Sequence, residues 1–369
     1  MDLLLSEEQA MLRDSAVTFA ERRGGGARLR ARSEAGAEFD RDLWSDIAEA
    51  GWLAILAPED AGGLGLGLAE LCLVAGELGR GLVAEPVAAV AAVARALGPT
   101  DIAATVIAGD TVILPALQEG PRAIGDEVPA TSLEGTDGAW RVSGRKTAVP
   151  HAPAADGFLV SATGAGGLAL VRVPGVRTEP RETIDGSTVS DLAFAGTEAE
   201  PVAGPNEAPA VLADLLNALH LTAAAELLGI AEAAQDITVE YLKTRQQFDR
   251  PIGSFQALQH RAVDNLAAIE MCRSLLRQAS RAIDAGAGGP GLASVTLSKA
   301  SKTALDVCKA SVQMHGGIGF THEHDIGLYL KRALVLSARY GNSGLHRRRY
   351  AVYAQGHERA TVAPHRPKA

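Results

Sequence analysis

Aromatic residues are scarce: Phe, Trp and Tyr together make up 4% of the 369 residues, although 47% are hydrophobic. The apolar mass is therefore mostly Ala, Leu and Val, which favours closely packed helices. Cysteine is nearly absent as well. Cys72, Cys272 and Cys308 are odd in number, far apart and set in apolar helical stretches. No disulfide framework follows from them, and they read as small buried hydrophobes in a reducing compartment. Excess positive charge is missing too. With 35 Lys and Arg against 44 Asp and Glu the net charge is −9, which argues against a nucleic-acid partner. Arg347-Arg348-Arg349 reads as a helix surface or subunit contact rather than a polyanion site. No run reaches the roughly 18 apolar residues of a membrane span, because Glu85 and Arg95 bracket the longest candidate. Met1-Asp2 leads straight into a polar helix instead of a signal peptide. A cytoplasmic protein with no membrane partner and no metal is expected.

What is present divides into three stretches. Residues 1–109 read as helical: Ser6 with Gln9 makes a capping box, and Leu12, Ala16 and Phe19 form the apolar stripe behind it. Further helices are expected from Asp42 to Leu53, Leu68 to Leu78 and Val87 to Leu97. Gly62-Gly63-Leu64-Gly65 lacks the Gly-Lys-Ser/Thr ending of a P-loop and reads as a tight interhelical turn. Over 110–205 the period shortens. Runs at Thr111–Leu114, Trp140–Ser143, Phe158–Ala162, Leu168–Val173 and Val189–Phe194 are bounded by turn formers, and Asp137-Gly138 is a hairpin signal. This predicts a small antiparallel β domain. From 206 to 369 long helices return: Ala208 to Arg245, Ser254 to Ala285, Leu292 to Met314, Glu323 to Ala338 and Ser343 to Tyr353, which imply a bundle. The fold class is mainly α with a central β domain.

Tyr241 to Asp264, YLKTRQQFDRPIGSFQALQHRAVD, is the most informative stretch. It reads as a helix end, a sharp loop at Asp249-Arg250-Pro251, and a new helix capped by Ser254. Arg245 and Phe248 close the first helix, while Gln256, Gln259 and His260 open the second, so all can face one ligand. An arginine with glutamines at a helix N-terminus suits a pyrophosphate, and Phe248 suits an aromatic ring. Taken alone, the same stretch is equally a solvated helix hairpin. Together with Gln313-Met314-His315-Gly316-Gly317-Ile318-Gly319-Phe320, however, it closely resembles the acyl-CoA dehydrogenase family. Ala57-Pro58-Glu59-Asp60-Ala61-Gly62-Gly63-Leu64-Gly65 also recurs there.

The resemblance implies the family's architecture of helical domain, β domain and four-helix bundle. It also implies FAD, an acyl-CoA substrate, and electron-transfer flavoprotein as acceptor. In that family a glutamate takes the α proton while the β hydrogen leaves as hydride. The glutamate most often sits in Tyr-Glu-Gly-Thr. The matching segment here is Tyr340-Gly341-Asn342-Ser343, with Gly341 in the glutamate's place. A minority of relatives carry the base on the bundle's first helix, at a position matching Leu219. His220, next to it, is a weak substitute base, and a structural histidine is the commoner case. The flavin contacts of the middle domain are eroded too: Gln118-Glu119-Gly120 stands for Thr-Glu-Pro, and Ala148, Val149 and Pro150 stand where Trp, Ile and Thr belong. His151 after them reads as an exposed loop residue. Small residues at Ala223 to Ala225 hint at a roomy acyl site.

In the family the flavin ring is held by a subunit's own middle domain, and the adenosine diphosphate end by the neighbouring subunit. The neighbour's set is intact here: Arg245, Phe248, Gln256, Gln313, Gly316 and Gly317, with Asp249 in place of the usual glycine. The cis set and the base are lost. Random decay would not sort residues by which subunit's flavin they touch. The pattern implies a chain that completes the FAD site of a homologous glutamate-bearing subunit in a heterotetramer. Gly79 to Pro86 is similar to small subunits of actinobacterial two-chain enzymes for bulky acids. A self-sufficient flavin enzyme in a homo-oligomer, using another base or none, is the alternative. A flavin-free scaffold or acyl-CoA-binding protein is the third reading.

Overall fold

The computed structural model describes residues 5–35, 39–120, 124, 128–135 and 139–361. Helix α1 (Glu7–Arg23) opens on the expected capping box, with Ser6 Oγ accepting from the Gln9 N–H and the Gln9 side chain accepting from the Ser6 N–H, both at 3.1 Å. Ala16 is fully buried, with Leu12 and Phe19 packed beside it. Helix α2 spans Gly26–Ala35. The stretch expected as one helix from Asp42 to Leu53 is two pieces. Helix α3 (Arg41–Glu49) stops before Gly51, whose φ of +74° no helix accommodates, and a 3-10 turn follows over Trp52–Ala54. Helices α4 (Leu68–Arg80), α5 (Val87–Leu97) and α6 (Asp101–Ile107) complete this part.

The strands are β1 (Ile113–Ala116), β2 (Ser132–Glu134), β3 (Trp140–Pro150), β4 (Gly157–Gly164), β5 (Gly167–Pro174), β6 (Pro180–Glu182) and β7 (Thr188–Ala203). Strand β5 pairs with both β4 and β7, β3 pairs with β7, and β2 bridges β3 to β4, so the five close on themselves. The sheet is not wholly antiparallel, as expected from the runs alone: β1 and β2 both lie parallel to β4. Alternation along a strand reports which face is buried and carries no information about direction. The Asp137-Gly138 hairpin signal lies outside the described residues.

The remaining helices are α7 (Ala208–Thr244), α8 (Gln256–Asp284), α9 (Pro290–His315), α10 (Ile326–Arg339) and α11 (Ser343–Thr361). Contrary to the expectation that no run is long and apolar enough for a membrane, α7 passes that test by length and composition. Its Ala- and Leu-rich middle is the bundle's own core helix, with 72% of that window buried. It packs backbone to backbone on α4: a Cβ at Gly229 would lie 1.9 Å from the Gly76 carbonyl oxygen. The three cysteines are buried, and burial pushes the Cys272 and Cys308 thiols up to about 12, so they behave as apolar residues.

One ion-pair network fastens the β domain to the bundle. Arg332 of α10 is buried, with Nη1 2.9 Å from Asp185 before β7 and Nη2 3.2 Å from Glu226 of α7. Burial alone would raise the Asp185 carboxyl, but Arg332 and the hydroxyls of Thr183 and Ser187 hold it well below the usual carboxylate range. Arg332→Met leaves the buried Asp185 and the half-buried Glu226 carboxylates without their cation. Denaturant unfolding should show a loss of about 3–5 kcal/mol. A loss under about 1 kcal/mol would mean that the pair is solvated.

Candidate functional site

The exposed set lies at one end of the bundle. Helix α7 ends at Thr244, and Arg245 turns the chain into a two-residue hairpin, β8 (Gln246–Gln247) with β9 (Arg250–Pro251), rather than an open loop. Its turn residues Phe248 and Asp249 have φ of +53° and +61°, the type I′ pattern. That explains the glycine expected at Asp249: aspartate is among the few side chains that tolerate the left-handed region. Phe248 is 84% exposed and meets Phe255 edge to face, with ring centroids 6.1 Å apart. Arg250 stacks on Phe255 at 4.1 Å.

Ser254 does not cap the next helix, as the sequence suggested. Its Oγ donates back to the Pro251 carbonyl, and α8 begins after Phe255 with no side-chain cap. The first N–H groups of α8, beginning at the exposed Gln256, are therefore without a side-chain acceptor. Gln259, grouped with Gln256 on sequence, is committed to the Gly253 carbonyl at 2.9 Å, and His260 is exposed.

The second half of the set is the end of α9. Gln313 is exposed, and Gly316, at φ +67°, stops the helix with its N–H on the Gln313 carbonyl. Gly317 has neither a positive φ nor any atom within 4 Å of where its Cβ would be. The chain's own packing gives no reason for glycine there, so the missing side chain leaves room for something outside the chain. Tyr241 brings the two halves together, its hydroxyl 3.4 Å from the His315 carbonyl. Among the described residues Arg245 has no ion-pair partner, and its guanidinium is exposed.

The region matching the usual base positions is different in kind. Leu219 of α7 and Tyr340, adjacent to Gly341, do line one cavity, together with Pro150, His151, Glu226 and Arg339. Its volume is about 40 Å³, enough for a few waters and not for an acyl chain. Ala223 also lines it, while Ala225 lines a separate, roomier cavity of about 350 Å³ between α4, α7 and α8. Gly341 sits at φ +112°, where a Cβ would lie 3.1 Å from Leu345 Cδ2 and 3.3 Å from His346 Nε2. Ala148 is held at φ +51° with its N–H on Asp191. Glu119, in the matching Gln118-Glu119-Gly120, pairs at 2.5 Å with fully buried Lys146 inside the β domain.

Two carboxylates that sequence reasoning missed do reach this cavity. Glu226 stands seven residues after Leu219, two helical turns along the same face, a spacing that could have disclosed it. Arg332 engages it, while Glu85 is engaged by Arg28 at 2.5 Å and Arg32 at 2.7 Å. Neither is a free base. Among the described residues no cluster of His, Cys, Asp and Glu is arranged to hold a metal.

One of the two histidines departs from expectation. His151 is buried, 4% exposed and lining the cavity. Burial, reinforced by Arg339, Arg332 and Arg32, drives its pKa well below the usual 6.5. His220 is 3% exposed and lies behind the cavity wall, its ring 5.0 Å from His346 and 6.1 Å from Tyr340. Burial, then His346 and Arg349, keep it neutral too. The unfolded chain binds these protons near 6.5 and the folded one does not, so stability is lost as pH falls below 6.5. The loss should approach about 1.4 kcal/mol per histidine per pH unit. In thermal melts between pH 6.5 and 5, the double change His151→Gln and His220→Gln should flatten the slope. An unchanged slope would mean the two titrate alike in both states.

Two sequence descriptions fit this chain: "Acyl-CoA dehydrogenase, N-terminal domain" over residues 6–105 and "Acyl-CoA dehydrogenase, C-terminal domain" over residues 210–353. Acyl-CoA dehydrogenase IpdE2 of Mycobacterium tuberculosis is 33% identical over 89% of this chain and 91% of its own. Among solved structures, a variant of the steroid ACAD Tcur3481–Tcur3483 is 32% identical with a TM-score of 0.86, covering 95% of this chain and 99% of that one. The ChsE4–ChsE5 complex from Mycobacterium tuberculosis is 28% identical with a TM-score of 0.84, covering 99% and 100%.

Proposed function

The chain belongs to the acyl-CoA dehydrogenase family, and from that premise we propose that it is the glutamate-free subunit of a heteromeric acyl-CoA dehydrogenase, completing the FAD site of a homologous partner. The observation that carries this is the contrast between the two ends of the expected flavin site. At the diphosphate end the residues fit: Arg245 unpaired, Gln256 on an uncapped helix start, and Gly317 with open space where a side chain would be. At the ring end they do not. The slot beside Pro150 and Tyr340 is a cavity of about 40 Å³ filled in by His151 and Arg339. FAD, when bound, supplies the acceptor for the hydride removed in acyl-CoA desaturation.

In this reading the chain's own residues orient the dinucleotide on the partner. Arg245 would donate to its diphosphate, the first N–H groups of α8 would add their dipole, and Phe248 would cover its aromatic end. Proton abstraction falls to the partner's glutamate, and electron-transfer flavoprotein would take the electrons away. Val263, Leu266 and Met271 leave an apolar, exposed strip on α8, suited to burial against another subunit. That two solved relatives carry paired names, Tcur3481–Tcur3483 and the ChsE4–ChsE5 complex, favours a two-chain assembly. A cytoplasmic location is consistent with the buried, reduced cysteines.

Co-expression with a glutamate-bearing homologue tests the reading. A yellow complex from the pair and a colourless protein from this chain alone are expected. A yellow homomer that oxidises acyl-CoA would transfer the proposal to the self-sufficient reading. Glu226 in the cavity is the observation that favours this alternative, and Glu226→Gln would then abolish the homomer's turnover.

A further inference from the structure

Between the two halves of the exposed set lie three rings that no function has yet absorbed. Tyr241, one turn before Arg245, stacks on His315, which directly precedes Gly316, with centroids 4.5 Å apart and planes inclined by 25°. His324, on the connection to α10, lies 4.4 Å from His315 and 6.4 Å from Tyr241. Polar bonds fix each ring. His315 Nδ1–H donates to the Ser311 carbonyl at 2.8 Å, which leaves Nε2 a bare, buried acceptor with no partner. His324 Nδ1 accepts from the Ile326 N–H at 3.1 Å. Arg30 of α2 pins the stretch carrying His324, donating to the His322 carbonyl at 2.8 Å and pairing with Asp325 at 2.5 Å.

The stack joins both gripping elements directly. The Arg245 N–H is bonded to the Tyr241 carbonyl at 2.8 Å, while the Tyr241 hydroxyl reaches the His315 carbonyl. The hairpin is otherwise almost free of packing, with every residue from Lys243 to Pro251 exposed. A ligand that must touch both elements binds well only if their separation is set in advance. We propose that Tyr241, His315 and His324 are positioning residues, holding the Arg245–Phe248 hairpin and the Gln313–Gly317 turn at the separation that the diphosphate end of FAD requires. This rests on the proposed function above. Stacked aromatic faces suit the task because they resist shear between α7 and α9 without charge beside an anionic ligand.

The test uses the assembly of this chain with its glutamate-bearing partner, stripped of flavin and titrated with FAD by fluorescence. Tyr241→Leu should weaken FAD binding about tenfold, with the melting temperature of the flavin-free assembly unchanged, while Tyr241→Phe, which keeps the stack, should retain wild-type affinity. Equal losses from the two changes would overturn the proposal, as would a loss no larger than the accompanying fall in flavin-free stability accounts for. If Tyr241→Leu does not assemble, His324→Ala at the half-buried edge of the stack takes its place with the same expectation. Arg245→Ala serves as the reference. Normal binding in Tyr241→Leu beside a large loss in Arg245→Ala overturns the positioning role alone, and normal binding in both overturns the FAD-site reading beneath it.

Discussion

Purified on its own, the chain should reduce a ferrocenium acceptor with acyl-CoA thioesters no faster than background. Proton abstraction by a positioned carboxylate contributes about 10²- to 10⁴-fold, and neither position that carries one in the family has it here. Leu219 lines the cavity with an apolar side chain, and Gly341 has none. The carboxylates that do arrive, Glu226 and Glu85, are already engaged by arginines, Glu226 by Arg332 and Glu85 by Arg28 and Arg32. Restoring the residue should not restore the reaction. At φ +112° a glutamate in place of Gly341 is strained by about 1–3 kcal/mol, before its Cβ meets Leu345 and His346. Gly341→Glu is therefore expected to melt earlier than the wild type and remain inactive. The strain matters to the interpretation: this position has settled into a backbone conformation open to glycine and closed to the family's base. Rapid dye reduction by the unmodified homomer with any acyl-CoA would sink the idea.

How much of this was legible beforehand depended on whether the deciding contact was near in sequence. Helix α5 is found at the bounds its apolar run gave, Val87 to Leu97, and the Ser6–Gln9 capping box closes as written, because both are settled within a few residues. The hairpin after Arg245 was read as a loop because Phe248-Asp249 lacks the Asn-Gly or Asp-Gly pair that usually marks a type I′ turn. His151 follows a proline and looked like a loop residue. It is buried all the same, and the arginines that act on it electrostatically, Arg332 and Arg339 of α10, lie far along the chain, which no local pattern reports. The same holds for the cavity. Ala223 and Gly229 are small in sequence, but whether small residues open a pocket or let helices meet depends on the partner helix. Here α4 meets α7 backbone to backbone at Gly76 and Gly229, and a cavity of about 350 Å³ stays open beside that contact.

Arg245→Ala, made in this chain and co-expressed with the partner, should lower the FAD content of the complex while leaving assembly intact. The guanidinium is exposed and has no carboxylate partner among the described residues, so nothing in the fold depends on it. Charge-assisted hydrogen bonds to a diphosphate are worth about 1.5–3 kcal/mol each, and losing them should weaken FAD binding by roughly one to two orders of magnitude. Flavin content per complex, read by absorbance after gel filtration at fixed salt, measures this directly. Salt matters because an exposed cation acting on an anion is screened within about 10 Å at 0.1 M. The corresponding change in the partner's own Arg-x-x-Phe motif should matter far less. That arginine would face this chain's ring end, where His151, Pro150 and Arg339 leave about 40 Å³. The two mutations are chemically the same and differ only in which ring end they serve, so their ratio isolates the asymmetry from any general effect of removing a surface charge. Equal losses would mean that both kinds of site hold flavin, and the one-sided model would be wrong.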